Sequence, residues 1–109
     1  MLVAIFSEDV RLCYEVATMC LDNDFKIIFI DRNSKLNTNI DCIVLDLDES
    51  MNIVIEKCKE YKKNNHLILG AMSMPTKSDI LRAKEAGCLM VLTKSNFSAN
   101  LVDIINKST

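Results

Sequence analysis

Charged residues follow three short apolar runs of the chain, at the point where each run ends. Glu8 and Asp9 follow the first of these runs. Asp46 and Asp48 follow another, and Lys94 follows the last. Carboxylates are ligands that a divalent cation prefers, and a lysine ammonium neutralises the charge of a phosphoryl group. If these side chains meet, they form a site suited to a divalent cation and a phosphoryl group.

The apolar runs themselves are predicted to be strands. A short, nearly continuous apolar run is typical of a strand that is buried on both faces of a parallel sheet. Five such strands are predicted: Val3–Phe6, Phe25–Ile30, Cys42–Leu45, Leu67–Met72 and Leu89–Thr93. Ligands of parallel sheets bind beyond the carboxyl ends of the strands, which is where the charged residues stand. The sequence therefore predicts a crevice at that edge of the sheet.

Helix signals lie between the predicted strands. Asp9, Ser50 and Thr76 are each suited to cap the N-terminus of a helix. Gly87 suits the left-handed residue after a helix, and Ser98 opens a last helix. Alternating strands and helices predict an α/β fold of three layers, with a five-stranded parallel sheet in the middle. The flavodoxin-like strand order 2-1-3-4-5 would bring the ends of strands one, three and five together.

One connection is too short and too polar for a full helix. Residues 31–41 link the second and third predicted strands and contain the turn-forming residues Asn33, Ser34, Asn37 and Asn39. A crossover between parallel strands usually takes about a dozen residues or more. We therefore expect a loop or a single turn, with the helix between strands 2 and 3 short or missing.

Composition predicts one folded domain over residues 1–109. Half of the residues are apolar, 26% are charged, and the net charge is -2, which argues against disorder and against a nucleic-acid partner. No apolar run has the length of a membrane span or of a signal peptide, so we expect a cytoplasmic protein without a membrane partner. The five cysteines form no CxxC pair and lie in apolar patterns, which favours buried, reduced thiols over a redox site.

Motifs along the whole chain match the pattern of one known family. The first strand ends in acidic residues, and the third ends in Asp46. The fourth strand ends at Met72 and Ser73. The most specific segment is 84–94, where Ala-Gly, an apolar strand and a final lysine follow one another at the family's spacing. In these features the chain resembles a CheY-like receiver domain of response regulators.

The resemblance implies a role for each residue of the site. Asp46 would accept a phosphoryl group from a histidine kinase or a phosphotransfer protein. Glu8, Asp46 and the backbone carbonyl of Asp48 would hold Mg²⁺. Lys94 would contact the acceptor and then the phosphoryl oxygens. Asp9 is expected to be first a helix cap and only second a metal ligand.

Several positions depart from the receiver pattern and make the expected receiver atypical. Ser7 replaces the first acid, which implies weaker Mg²⁺ binding. Met72 replaces the switch hydroxyl, for which Ser73 is the candidate substitute, and Val91 replaces the switch aromatic. Ser95 replaces the proline after the lysine. The resemblance implies a phosphorelay signalling domain and not an enzyme, beyond self-catalysed phosphotransfer and dephosphorylation. It would act through a downstream protein partner as a monomer or weak dimer.

Two other functions remain open from the residues. One is a pseudo-receiver, a protein-interaction module that works without phosphorylation; the departures at Ser7, Met72 and Val91 favour it. The more remote one is Toprim-like, metal-dependent phosphodiester chemistry, in which Glu8 and an Asp-x-Asp pair would hold the metal. The glycines that flank those acids in Toprim modules are absent here, and Lys94 would have no role.

Overall fold

A parallel sheet of five strands forms the middle layer of the protein. The computed structural model describes residues 1–34, 36, 39–49, 51–64 and 66–108. In chain order, its elements are β1 (Leu2–Phe6), α1 (Val10–Asp22), β2 (Lys26–Phe29), β3 (Cys42–Asp46), α2 (Met51–Lys63), β4 (Leu67–Met72), α3 (Lys77–Ala86), β5 (Met90–Thr93) and α4 (Phe97–Ser108). A short 3₁₀ turn over Lys94–Asn96 joins β5 to α4. All neighbouring strands are parallel, in the order β2-β1-β3-β4-β5, which confirms the predicted topology.

Alternate residues of the central strand β3 belong to two different apolar cores. Ile43 packs in the core that contains buried side chains of α2 and α3. Val44 packs in the other core, with buried side chains of α1 and α4. Because helices cover both faces, every residue of β3 is buried, down to Asp46 at its carboxyl end. The sheet thus carries one charged residue into an otherwise apolar interior.

The predicted helix ends at α1 and α3 are confirmed. The Asp9 side chain accepts a hydrogen bond from the Leu12 amide, and Thr76 does the same for the Asp79 amide. Gly87 ends α3 with a φ of 127°, a conformation that residues with a Cβ rarely adopt. The predicted cap Ser50 lies outside the described residues.

Some element boundaries differ from the prediction by one residue. β2 covers Lys26–Phe29 and not Phe25–Ile30, and β5 begins at Met90 and not at Leu89. Both are edge strands, which pair with a neighbour on one side only. Their hydrogen-bonded pairing therefore covers fewer residues than the apolar runs in the sequence. α4 begins at Phe97, one residue before the expected Ser98.

The connection between β2 and β3 contains no helix within its described residues, as its length predicted. The predicted turn residue Asn37 lies outside the described residues. Phe29 of β2 remains 61% exposed, since no helix of the described chain covers that end of the strand. None of the described helices combines the length and the apolar character needed to cross a membrane.

Candidate functional site

Asp46 and Lys94 meet at the carboxyl edge of the sheet. Asp46 is the last residue of β3, and Lys94 directly follows β5. Although 48 residues separate them in sequence, Lys94 Nζ donates a hydrogen bond of 2.9 Å to Asp46 Oδ2. The strand order produces this contact, because the ends of parallel strands lie at one edge. The sequence reasoning expected these two side chains to lie together, and the structure brings them into direct contact.

Asp46 is only 1% exposed, and three donors surround its carboxylate. Oδ2 accepts from the Ser7 hydroxyl at 2.6 Å as well as from Lys94. Oδ1 accepts from the backbone N–H of Asp48 at 3.0 Å. A buried carboxylate is tolerated only when it is paired and hydrogen-bonded. Asp46 meets that requirement through a hydroxyl, an amide and an ammonium group.

Lys94 holds three carboxylates together. Its Nζ lies 2.9 Å from Asp9 Oδ2, 2.9 Å from Asp46 Oδ2 and 3.0 Å from Asp48 Oδ2. Burial opposes the charge on this side chain, but the hydrogen bonds to the three carboxylates outweigh it and raise the pKa of Lys94 above its usual value. The side chain is therefore a permanent cation at the centre of the site. We call Asp9, Asp46, Asp48 and Lys94 the Lys94 cluster.

Asp9 belongs to the cluster and caps a helix at the same time. Its Oδ1 accepts from the Leu12 amide at 3.1 Å, and its Oδ2 accepts from Lys94. Mainly the bond from Lys94, and then that from Leu12, hold the pKa of Asp9 below its usual value. Both of its oxygens thus accept from N–H donors, in keeping with the expectation that capping is its first role.

Asp48 connects the Lys94 cluster to the end of β4. Its carboxylate accepts from the Ser73 hydroxyl at 2.6 Å and from the Ser73 backbone N–H at 3.0 Å. Burial alone would raise the pKa of Asp48, but the Ser73 hydroxyl and Lys94 hold it below its usual value. Ser73, the candidate switch hydroxyl, therefore donates to Asp48 and not to Asp46. Leu47 secures the same loop, because its side chain fills the space where Gly70 lacks a Cβ.

Glu8 lies outside the Lys94 cluster. Its backbone N–H donates to the Glu49 carboxylate, and its own side chain is exposed. Glu8, Asp31 and Glu49 line a cleft of about 240 Å³ that also contains Ser7, whereas Lys94 lines a different cleft. We call the former the acidic cleft. Within the described ranges, no group of three or more His, Cys, Asp or Glu side chains is arranged so that it could hold a metal ion.

Sequence reasoning missed two hydrogen-bonded contacts of this site. The first is the bond from Ser7 to Asp46. Phe6 pairs with Leu45, so the next residues along the two strands, Ser7 and Asp46, lie side by side, and this register could have indicated the contact. The second is the bond from Ser73 to the Asp48 side chain. No periodicity marks that contact, since both residues lie in loops.

Comparison with known proteins adds evidence on the fold. No protein-family profile matches the chain, and no curated protein sequence matches it. Among solved structures, the Vibrio cholerae chemotaxis protein CheY4 matches with a TM-score of 0.82 and 14% identity, covering 99% of this chain and 98% of that one. A CheY-like receiver domain protein from Methanospirillum hungatei matches with a TM-score of 0.80 and 8% identity, covering 98% and 91%. The chain has the fold of a receiver domain.

A further receiver supports the same conclusion. The receiver domain of the Francisella response regulator 1452 matches with a TM-score of 0.78 and 18% identity, covering 97% of this chain and 93% of that one. The resemblance to receiver domains that the motifs indicated is thereby confirmed in fold. At these identities the likeness concerns the fold, so the chemistry of this receiver-like domain has to be argued from its own residues.

Proposed function

We propose that this chain is an atypical receiver in two-component signalling that accepts a phosphoryl group on Asp46. The observation that carries the proposal is the 2.9 Å contact between Asp46 and Lys94 at the carboxyl edge of the sheet. Phosphoryl transfer needs a nucleophile and fixed positive charge beside it, with little other covalent chemistry from the protein. A histidine kinase or a phosphotransfer protein would be the donor, and a downstream protein would read the result.

The hydrogen bonds of Asp46 indicate which oxygen would react. Oδ2 accepts from both Ser7 and Lys94, whereas Oδ1 accepts only from the Asp48 amide among the described residues. Oδ1 therefore has a lone pair free for attack. Its bond to phosphorus forms as the P–N bond of a donor phosphohistidine breaks, and the electron pair stays on the imidazole, which then takes up a proton. The product is an acyl phosphate on Asp46.

The charge of the site suits a divalent cation. The Lys94 cluster contains three carboxylates and one ammonium, so it carries a negative excess. Mg²⁺ would be held by Asp46 and the backbone carbonyl of Asp48, with the Glu8 side chain turned from the acidic cleft toward them, because the described structure does not bring Glu8 to Asp46. The cation would supply further neutralisation of the phosphoryl charge. Ser7 contributes a hydroxyl where a second acid would contribute a charge. We therefore expect weaker Mg²⁺ binding than an all-acidic site would give.

Beryllofluoride, a mimic of the phosphoryl group, tests the proposal directly. Added with Mg²⁺ to the ¹⁵N-labelled protein, it should shift the amide resonances of Asp46, Asp48, Ser73 and Lys94. Asp46→Asn should abolish the shifts. Asp103→Asn, which changes an exposed acid on α4, is the matched control and should retain them. Unchanged spectra of the unaltered protein at millimolar reagent would remove the phosphoacceptor claim.

The burial of Asp46 favours a second candidate function. At 1% exposure, with Lys94 already engaged by three carboxylates, the acceptor is closed to a donor unless the surrounding loops move. A pseudo-receiver would use the domain as a protein-binding module in this closed form. In that case Asp46→Asn should leave partner binding unchanged, whereas a phosphorylation-dependent receiver should lose the response to its kinase.

Metal-dependent phosphodiester chemistry receives no support from the geometry. It would need the carboxylates of Glu8, Asp46 and Asp48 on one metal ion. Asp48 is instead bound to Ser73 and Lys94, and Glu8 lines the acidic cleft. The proposed partners are proteins, with neither nucleic acid nor a membrane among them, and the domain would act as a monomer or weak dimer.

A further inference from the structure

Two buried thiols are in contact on the side of the sheet that α2 and α3 cover. Cys58 lies in α2, and Cys88 lies between α3 and β5. Their Sγ atoms are 3.6 Å apart, although the residues are 30 positions apart in sequence. A disulfide bond brings its sulfurs to about 2.0 Å, so a small approach of the two side chains separates this contact from a covalent bridge.

The backbones that carry the two thiols are also close. A Cβ built on Gly87 would lie 2.8 Å from the Cβ of Lys62, and Lys62 follows Cys58 by one helical turn on the same face of α2. The residue after Gly87 is Cys88. The amides of Gly87 and Cys88 both donate to the Ala83 carbonyl, which fixes the turn at the end of α3. The turn that carries Cys88 therefore packs directly against α2, the helix that carries Cys58.

A cleft gives small reagents a path toward this pair. It has a volume of about 400 Å³, and its lining includes Lys62, His66, Lys84 and Cys88. Cys88 is 5% exposed, whereas Cys58 is fully buried. The hydrogen bond with Cys88 lowers the pKa of Cys58 below its usual value despite burial, and Lys62 adds to the effect. The same hydrogen bond, together with burial, raises the pKa of Cys88, so Cys58 is the thiol of the pair that loses its proton first.

We propose that Cys58 and Cys88 are a reversible disulfide-forming site that a peroxide oxidises in the folded protein. The proposal singles out two of the five cysteines, all of which the sequence placed in apolar patterns without distinguishing them. The bridge would tie α2 to the turn that leads into β5 and so to Lys94. It is independent of phosphoryl transfer at Asp46.

The chemistry balances with hydrogen peroxide as the oxidant. The Cys58 sulfur, as its thiolate, attacks one peroxide oxygen; the S–O bond forms, the O–O bond breaks, and hydroxide leaves. Cys88, deprotonated by that hydroxide, then attacks the sulfur of the resulting sulfenic acid. The S–S bond forms and the second oxygen leaves as water. In total, two thiols and one hydrogen peroxide give one disulfide and two waters.

Intact-mass measurement and peptide mapping of the folded protein test the site. After brief treatment with hydrogen peroxide, the protein should have lost the mass of two hydrogens, and blocking of free thiols after denaturation should label three cysteines and not five. The cross-linked peptide should contain Cys58 and Cys88, and dithiothreitol should reverse the change. Cys58→Ala and Cys88→Ala should each abolish the cross-link. The matched control Cys13→Ala, which removes a thiol of α1, should form it as readily as the unaltered chain does.

Three outcomes would overturn the proposal. One is a cross-link between any other pair of cysteines. Another is oxidation of Cys58 to a sulfinic acid without a cross-link, because it would show that Cys88 cannot reach the sulfenic sulfur. The third is a cross-link that forms in urea but not in the native protein. Mapping of the unaltered chain decides among these results even if a variant fails to fold.

Discussion

The Lys94 cluster and the acidic cleft lie near each other at the carboxyl edge of the sheet, yet their charges are compensated differently. In the cluster, each of three carboxylates lies within 3.0 Å of the Lys94 ammonium. Arg32 also lines the cleft, but neither Glu8 nor Glu49 forms an ion pair with it or with another cation within the described residues. Ser7 lies between the two regions, since it bonds to Asp46 and also lines the cleft.

This difference separates two electrostatic environments at one edge of the sheet. A resident cation stabilises a buried carboxylate permanently, because the ammonium remains charged at any physiological pH. Carboxylates that are not paired with a cation of the chain raise the local concentration of cations from solution instead. The counter-charge of the cluster is therefore built into the chain, whereas the carboxylates of the cleft depend on cations from solution. The following predictions test this difference by changing the charge of the cluster, of the boundary at Ser7, or of the solution.

Lys94→Met should have the largest effect, because it leaves Asp46 buried without its ammonium partner. Breaking a buried ion pair from one side typically costs about 3 kcal/mol or more. The methionine retains most of the apolar stem, so the loss reports the charge. Urea unfolding followed by circular dichroism should show the free energy of unfolding reduced by about that amount.

Lys107→Met is the control for the loss of one positive charge. Lys107 lies on the exposed last turn of α4, and exposed substitutions usually change stability by about 0.5 kcal/mol or less. Equal, small losses in the two variants would contradict the view that Lys94 compensates Asp46. A large loss in Lys94→Met alone supports it.

Ser7→Asp should convert the boundary between the two regions into part of the cation site. The new carboxylate would stand next to Asp46 and add a negative charge to the acidic cleft. We expect tighter Mg²⁺ binding by about tenfold, which corresponds to about 1.4 kcal/mol. Titration calorimetry, or the Asp46 amide resonance during a Mg²⁺ titration, measures the change. Ser7→Asn adds similar volume without charge, so an equal gain there would refute the electrostatic explanation.

The meeting of Asp46 and Lys94 was predictable from sequence because it depends only on the positions of the strands and on their order in the sheet. Apolar runs located the strands, and the strand order then placed Asp46 and Lys94 at one edge. Which acid after β1 joins Lys94 was not predictable in the same way. Asp9 turns toward the cluster because it caps α1, whereas Glu8 turns to the cleft, and that choice depends on how the chain leaves the strand.

The contact between Cys58 and Cys88 shows the same limit more clearly. Periodicity placed both residues on apolar faces, which is why they were expected to be buried thiols. Their contact arises from the turn after α3 packing against α2, where Gly87 admits the side chain of Lys62. Periodicity describes faces of single elements, whereas this contact depends on the separation of two of them. The contact of Ser73 with Asp48 is of the same kind.

The acid dependence of stability should show the smallest of the three effects. The pKa values of Asp9 and Asp48 are held below the ordinary 3.8 in the folded protein, so the unfolded chain binds more protons in acid. Their stabilisation is present above about pH 4 and is lost as the pH falls through their folded pKa values. The total should be about 1 kcal/mol, because partly exposed ion pairs contribute little each. Urea midpoints measured from pH 6 downward give this slope.

Asp9→Asn separates the charge of Asp9 from its role as a helix cap. Asparagine caps helices about as well as aspartate, so the hydrogen bond to the Leu12 amide is retained while the ion pair with Lys94 is lost. The acid slope should become shallower in this variant, with the remaining part due to Asp48. The raised pKa of Lys94 affects stability with the opposite dependence on pH: its contribution is lost only as the pH rises above about 10.5. It therefore does not change the slope in acid. If Asp9→Asn kept the full slope, the protons would be bound elsewhere, and the Lys94 cluster would not control the acid stability of the domain.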